Sequence, residues 1–62
     1  MGGILVIPRD PVMLLSYMNT QLRDFYDSLD AFCEDKDADK GEIVEKIRSV
    51  GYEYDADKNR FV

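Results

Sequence analysis

The sequence predicts a mainly α domain of the α+β kind. It has three helices in a helix-turn-helix-like layout and a C-terminal β-hairpin, winged-helix-like, with a third strand available at the N-terminus. Three observations predict it. From Asp10 to Tyr26 apolar residues recur at helical spacing. Two further capped apolar segments follow, joined by a short polar connector, which is the spacing of a helix-turn-helix pair. The chain then closes with two aromatic-bearing runs around Asp55-Ala56-Asp57-Lys58-Asn59, a hairpin turn sequence.

At the N-terminus Ile4, Leu5, Val6 and Ile7 form a short apolar run closed by Pro8. With no alternation, it reads either as a strand covered on both faces or as an arm that docks on another molecule. Residues 1–7 are therefore set apart as an arm or strand, and residues 8–62 as a single domain. The first helix opens at Asp10, whose carboxylate suits the free N–H groups of the first turn, and Pro11 sits where its missing N–H costs nothing. At 100° per residue, Pro11, Leu14, Leu15, Met18, Leu22, Phe25 and Tyr26 fall within a wedge of roughly 120°, the expected core stripe. Met13 and Tyr17, neighbours one turn apart, lie away from that stripe on an outer face with Thr20 and Asp24. They read either as scattered surface apolar residues or as a contact patch covered by the N-terminal arm or by a second copy of the chain. Asn19 lies at the stripe's edge, where a half-buried amide serves a structural hydrogen bond to a neighbouring loop.

Ser28 is the natural cap of a second, short helix with Leu29, Phe32 and Cys33 on one face. Asp39 caps the third, and Glu42 completes a capping-box-like pair. Ile43, Val44, Ile47 and Val50 point inward, and Gly51 ends the helix in the left-handed region. In the hairpin, Tyr52 and Tyr54 share a face, and Asn59 is the residue best suited to positive φ.

Sixty-two residues make one domain with a small core, and the lone Cys33 provides no disulfide to support it. The net charge of −5 works against phosphate backbones and anionic membranes as partners. No histidine is present, which removes the commonest general acid–base group and the commonest zinc ligand. No apolar run is long enough to span a bilayer, and the start lacks the basic residues of a secretion signal. A cytoplasmic location is expected.

Candidate chemistry is thin. Asp35, Asp37 and Asp39 alternate like the first ligands of a calcium loop. The sixth and twelfth positions, however, hold Lys40 and Lys46, with Gly41 one place late and Glu45 one place early. Asp55 and Asp57 repeat the alternation, and the chain ends before a twelfth position. Both read as solvated turns and caps. Cys33, followed by Glu34 and Asp35, lacks the cationic setting of a reactive thiolate. No nucleophile–base pair or glycine-rich phosphate loop appears, so no enzyme activity, cofactor or metal is expected.

Pro8-Arg9-Asp10-Pro11-Val12-Met13-Leu14-Leu15-Ser16, Asn19, Leu22-Arg23-Asp24, Ser28-Leu29-Asp30 and Gly51-Tyr52-Glu53-Tyr54-Asp55 carry a resemblance. From Pro8 to the C-terminus the chain resembles a family of short bacterial proteins catalogued as domain of unknown function four-two-five-zero. Asn19 and Gly51 match the Asn and Gly of that family's pattern. The apolar start is longer than the family's. The resemblance implies a bacterial cytoplasmic domain and no mechanism.

The expected function is a small, non-catalytic interaction or regulatory module that pairs with itself, as a homodimer, or with another protein. Its surface is Ile4, Leu5, Val6, Ile7, Met13 and Tyr17. The alternative is a winged-helix transcription regulator that binds nucleic acid through Lys40, Lys46, Arg48 and Arg60. Glu42 and Glu45 on the same outward side, and the absence of a basic stripe, count against it.

Overall fold

The computed structural model describes residues 7–62. Its element order is α1 (Pro11–Asp24), α2 (Leu29–Lys36), α3 (Lys40–Arg48), β1 (Tyr54–Asp55) and β2 (Arg60–Phe61). This is the expected arrangement of three helices and a two-stranded antiparallel hairpin, winged-helix-like in its order. The N-terminal third strand expected at residues 4–7 falls mostly outside the described residues. Ile7, the part of that run inside them, packs against the core.

Each helix starts as its local chemistry dictates. The Asp10 carboxylate accepts from the N–H groups of Val12 at 2.8 Å and Met13 at 3.3 Å, with Pro11 following at the first helical position. Ser28 accepts from Ala31 N–H at 3.0 Å, and Asp39 from Glu42 N–H at 3.3 Å. The capping box at α3 is only half made, because the Glu42 carboxylate turns forward to Lys46 at 3.4 Å.

The helix ends are equally specific. At α3, Tyr52 N–H donates to Ile47 C=O at 3.3 Å and Gly51 N–H to Arg48 C=O at 2.8 Å. This Schellman pattern turns on Gly51, at φ +89°, where a missing Cβ removes the steric cost. At α2 the same job falls to Asp37, at φ +53°, a non-glycine that the sequence does not single out.

The core is Leu14, Met18, Leu22, Leu29, Phe32, Cys33, Ile43, Ile47 and Phe61. Phe32 is its centre, met edge-on by Tyr26 at 5.3 Å and Tyr17 at 6.1 Å between ring centroids. Two residues depart from the expected first helix. Phe25 is 70% exposed, because α1 ends at Asp24. There the backbone opens to φ −127°, and the N–H groups of Phe25 and Tyr26 both return to Gln21 C=O. The angle that would have put Phe25 in the stripe no longer applies, and Tyr26 turns inward instead. Tyr17, in turn, sits on the shoulder of the buried side and leans onto Phe32 rather than standing on an outer face.

Candidate functional site

The hairpin is short, and how it is fastened decides what surface surrounds it. Glu53 and Val62 exchange both backbone hydrogen bonds, at 2.9 and 2.8 Å, extending the ladder by one pair. In an antiparallel ladder the next pair, Tyr54 and Phe61, then points its N–H and C=O groups outward. Asn19 meets the outward groups of Phe61. Phe61 N–H donates to Asn19 Oδ1 at 2.8 Å, and Asn19 Nδ2 donates to Phe61 C=O at 3.2 Å. One carboxamide on α1 thus stands in for a neighbouring strand's peptide group.

A second amide fastens the other end. Asn59, held at φ +54° after the Asp55 turn, donates through Nδ2 to Leu22 C=O at 3.0 Å and Tyr26 C=O at 2.9 Å. Its Oδ1 accepts from the Tyr54 hydroxyl at 2.7 Å, and that hydroxyl accepts from Leu29 N–H at 3.2 Å. The pair therefore serves orphan carbonyls at the end of α1 and an orphan N–H at the start of α2. Asp55 Oδ1 accepts from the N–H groups of Asp57 and Lys58, which shapes the turn that presents Asn59.

These ties leave a groove of about 810 Å³ between α1 and the hairpin, lined by Ser16, Asn19, Thr20, Leu22, Arg23, Lys58, Asn59 and Arg60. With both asparagines spent within the fold, the other polar groups that line it are the Ser16 and Thr20 hydroxyls, the Arg23 and Arg60 guanidiniums and the Lys58 ammonium. Arg23 is held along one edge by Asp24, at 2.9 and 3.0 Å, which raises the Arg23 pKa and lowers that of Asp24. Among the described residues neither Lys58 nor Arg60 has a carboxylate within ion-pairing distance.

The other basic residues singled out from sequence are placed differently. Lys40 meets Asp30 at 2.7 Å, Lys46 meets Glu42 at 3.4 Å and Arg48 meets Glu45 at 3.1 Å. Arg60 does not join them, since it faces α1 with Arg23 and Lys58. Sequence reasoning missed the grouping of Ser16, Thr20 and Arg23 with the cations of the hairpin. The only signal was the helical spacing of the first three, and their partner strand is distant in sequence.

Of the expected interface residues, Ile4, Leu5 and Val6 lie outside the described residues. Ile7 packs on the core, Tyr17 is half-buried against Phe32, and Met13 stands 61% exposed beside Val12 at 62%. The Tyr17 hydroxyl is buried without a hydrogen-bond partner among the described residues, and burial raises its pKa. Cys33 is buried, and burial pushes its thiol pKa up, away from thiolate chemistry.

The aspartate-rich segments have local roles. Asp35 accepts from the Tyr26 hydroxyl at 2.6 Å, Asp37 ends α2 and Asp39 starts α3. Among the described residues no three His, Cys, Asp or Glu side chains gather as a metal-binding group. No helix among them is long and apolar enough to cross a membrane.

Fold and surface together define a small winged-helix-like domain of the helix-turn-helix type, its hairpin bound to the first helix by two side-chain amides. The chain belongs to the family described as Domain of unknown function (DUF4250), whose model matches residues 8–61. No curated protein and no solved structure matches it.

Proposed function

We propose that this domain is a non-catalytic interaction module that works by self-association, through the N-terminal end of α1. The observation that carries this reading is the pair Val12 and Met13, each more than 60% exposed and adjacent in the first turn of the helix. Two large apolar side chains side by side in water are the start of a contact patch. In a chain of 62 residues with no disulfide, burying them between two copies adds apolar area that one copy cannot supply. The apolar Ile4, Leu5 and Val6 precede this turn in sequence. A cytoplasmic setting goes with this reading, since the lone Cys33 is free and buried.

The test is sedimentation velocity over a concentration series, on the full chain and on Met13→Glu. Both Val12 and Met13 are exposed, so the substitution leaves the core intact. The full chain is expected to shift from monomer to dimer with concentration, and Met13→Glu to stay monomeric. A chain that remains monomeric into the high-micromolar range overturns the proposal.

The nucleic-acid reading draws no comparable support. Its three cations on α3 are each engaged by a carboxylate, and the fourth is on another surface.

A further inference from the structure

We infer that the groove between α1 and the hairpin is a binding site for a phosphate monoester, carried on a small molecule. The inference is independent of self-association, which uses the first turn of α1. Its ground is the grouping of Arg23, Lys58 and Arg60 around one depression, with Ser16 and Thr20 beside Arg23 on the α1 wall and Lys58 and Arg60 on the hairpin wall. In a chain of net charge −5, most basic groups are matched by a carboxylate, as those of α3 are. Lys58 and Arg60 break that pattern on either side of Asn59, and they do so beside a third cation.

The charge count selects the ligand. Among the groove's lining residues and their ion-pair partners, Arg23, Lys58 and Arg60 against Asp24 leave two net positive charges, which a phosphate monoester dianion balances and a single carboxylate does not. Guanidinium forks match phosphate oxygens in pairs, and an ammonium adds a point charge. The hydroxyls of Ser16 and Thr20, one helical turn apart, supply further donors for a group with three terminal oxygens. Asn19 and Asn59 are spent on the backbone of the facing elements, so they fix the spacing of the two walls. A preset spacing lowers the ordering cost of binding.

Size and lining favour a small molecule. A volume of about 810 Å³ is in the range of ligand pockets. No aromatic ring lines it, so a nucleic-acid strand finds no stacking platform there. The net negative charge of the whole chain repels a polyanion at long range and penalises a compact dianion far less.

The experiment is an amide chemical-shift titration of the full-length chain at fixed ionic strength. The probes are inorganic phosphate, glycerol phosphate, acetate, chloride and a short DNA duplex. Saturable shifts at residues 16–23 and 58–60 are expected with glycerol phosphate and, more weakly, with inorganic phosphate, but not with acetate or chloride. Lys58→Gln with Arg60→Gln, both exposed, should weaken the monoester by roughly tenfold or more while the remaining spectrum stays folded. Inorganic phosphate equal to or stronger than the monoester reduces the site to a free-phosphate site and overturns the small-molecule assignment. Tighter saturation by the duplex reassigns the groove to nucleic acid and overturns it too. Shifts that follow ionic strength alone, or survive the double substitution, overturn the site itself.

Discussion

Against α2 and α3, helix α1 presents Leu14, Met18 and Leu22, which join Leu29, Phe32, Ile43 and Ile47 in an interface of apolar contact. Against the hairpin it presents the Asn19 amide and the carbonyls of Leu22 and Tyr26, met by the Phe61 backbone and the Asn59 amide. Phe61 supplies the single fully buried side chain of the hairpin. The contrast follows from size. Three helices offer enough apolar surface to hold one another by burial. A hairpin of two-residue strands does not, and an isolated one is marginal in water. Directional bonds to α1 compensate, and they also fix the register of the hairpin.

The apolar side breaks most severely. Phe32→Ala removes the ring on which Tyr17 and Tyr26 pack, and should cost about 3–5 kcal/mol. A core this small supplies stability of about that size, so the variant is expected to be largely unfolded by circular dichroism at 25 °C. A cooperative transition close to that of the parent chain would show that the centre of the core lies elsewhere.

On the polar side, Asn59 separates side chain from backbone. Asn59→Gly keeps the left-handed turn available but removes the bonds to Leu22, Tyr26 and Tyr54, for a loss of about 1–3 kcal/mol in urea unfolding. Asn59→Ala should cost about 1–2 kcal/mol more, since it adds the strain of positive φ to the lost bonds. Equal stabilities for the two variants would mean that the turn relaxes and the amide carries everything. In both, the amide proton of Leu29 should exchange faster, because its acceptor, the Tyr54 hydroxyl, loses its own anchor.

The two sides differ as much in legibility as in energetics. Helical periodicity shows Leu14, Met18 and Leu22 as core, and cap chemistry shows Asp10, Ser28 and Asp39 as helix starts. Both signals are local, so they can be read along the chain. Phe25 escapes because periodicity extends a helix that geometry ends at Asp24. Tyr17 escapes because a long ring on the shoulder of a helix can fold over to meet Phe32, whatever its nominal angle. At Asn19 the sequence indicates a structural amide but not Phe61 as its partner; at Asn59 it indicates positive φ but not the clamp on α1. The groove was the least legible, since its cations come from elements at opposite ends of the chain.

The smallest expected effect concerns a side-chain bond that joins the segment just after α1 to α2. Tyr26 donates to Asp35 at 2.6 Å, and the carboxylate holds the phenol's proton so that its pKa is pushed up to about 12. A pKa raised in the folded state means that folding favours the protonated phenol. The contribution is therefore complete below the ordinary tyrosine value near 10 and fades as pH rises through about 12. Asp35→Ala removes the acceptor from an exposed position near the end of α2, where alanine suits the helix and loss of a negative charge suits its dipole. Stability near neutral pH should barely move. The Tyr26 ring-carbon titration should fall from about 12 back toward 10. The Tyr26-linked decline in stability between about pH 10 and 12 should then shrink, because the folded value approaches the unfolded one. An unshifted Tyr26 curve would mean that burial beside Phe32, rather than the Asp35 bond, holds the proton, and would make this end of α1 an apolar junction like the rest of the helix–helix interface.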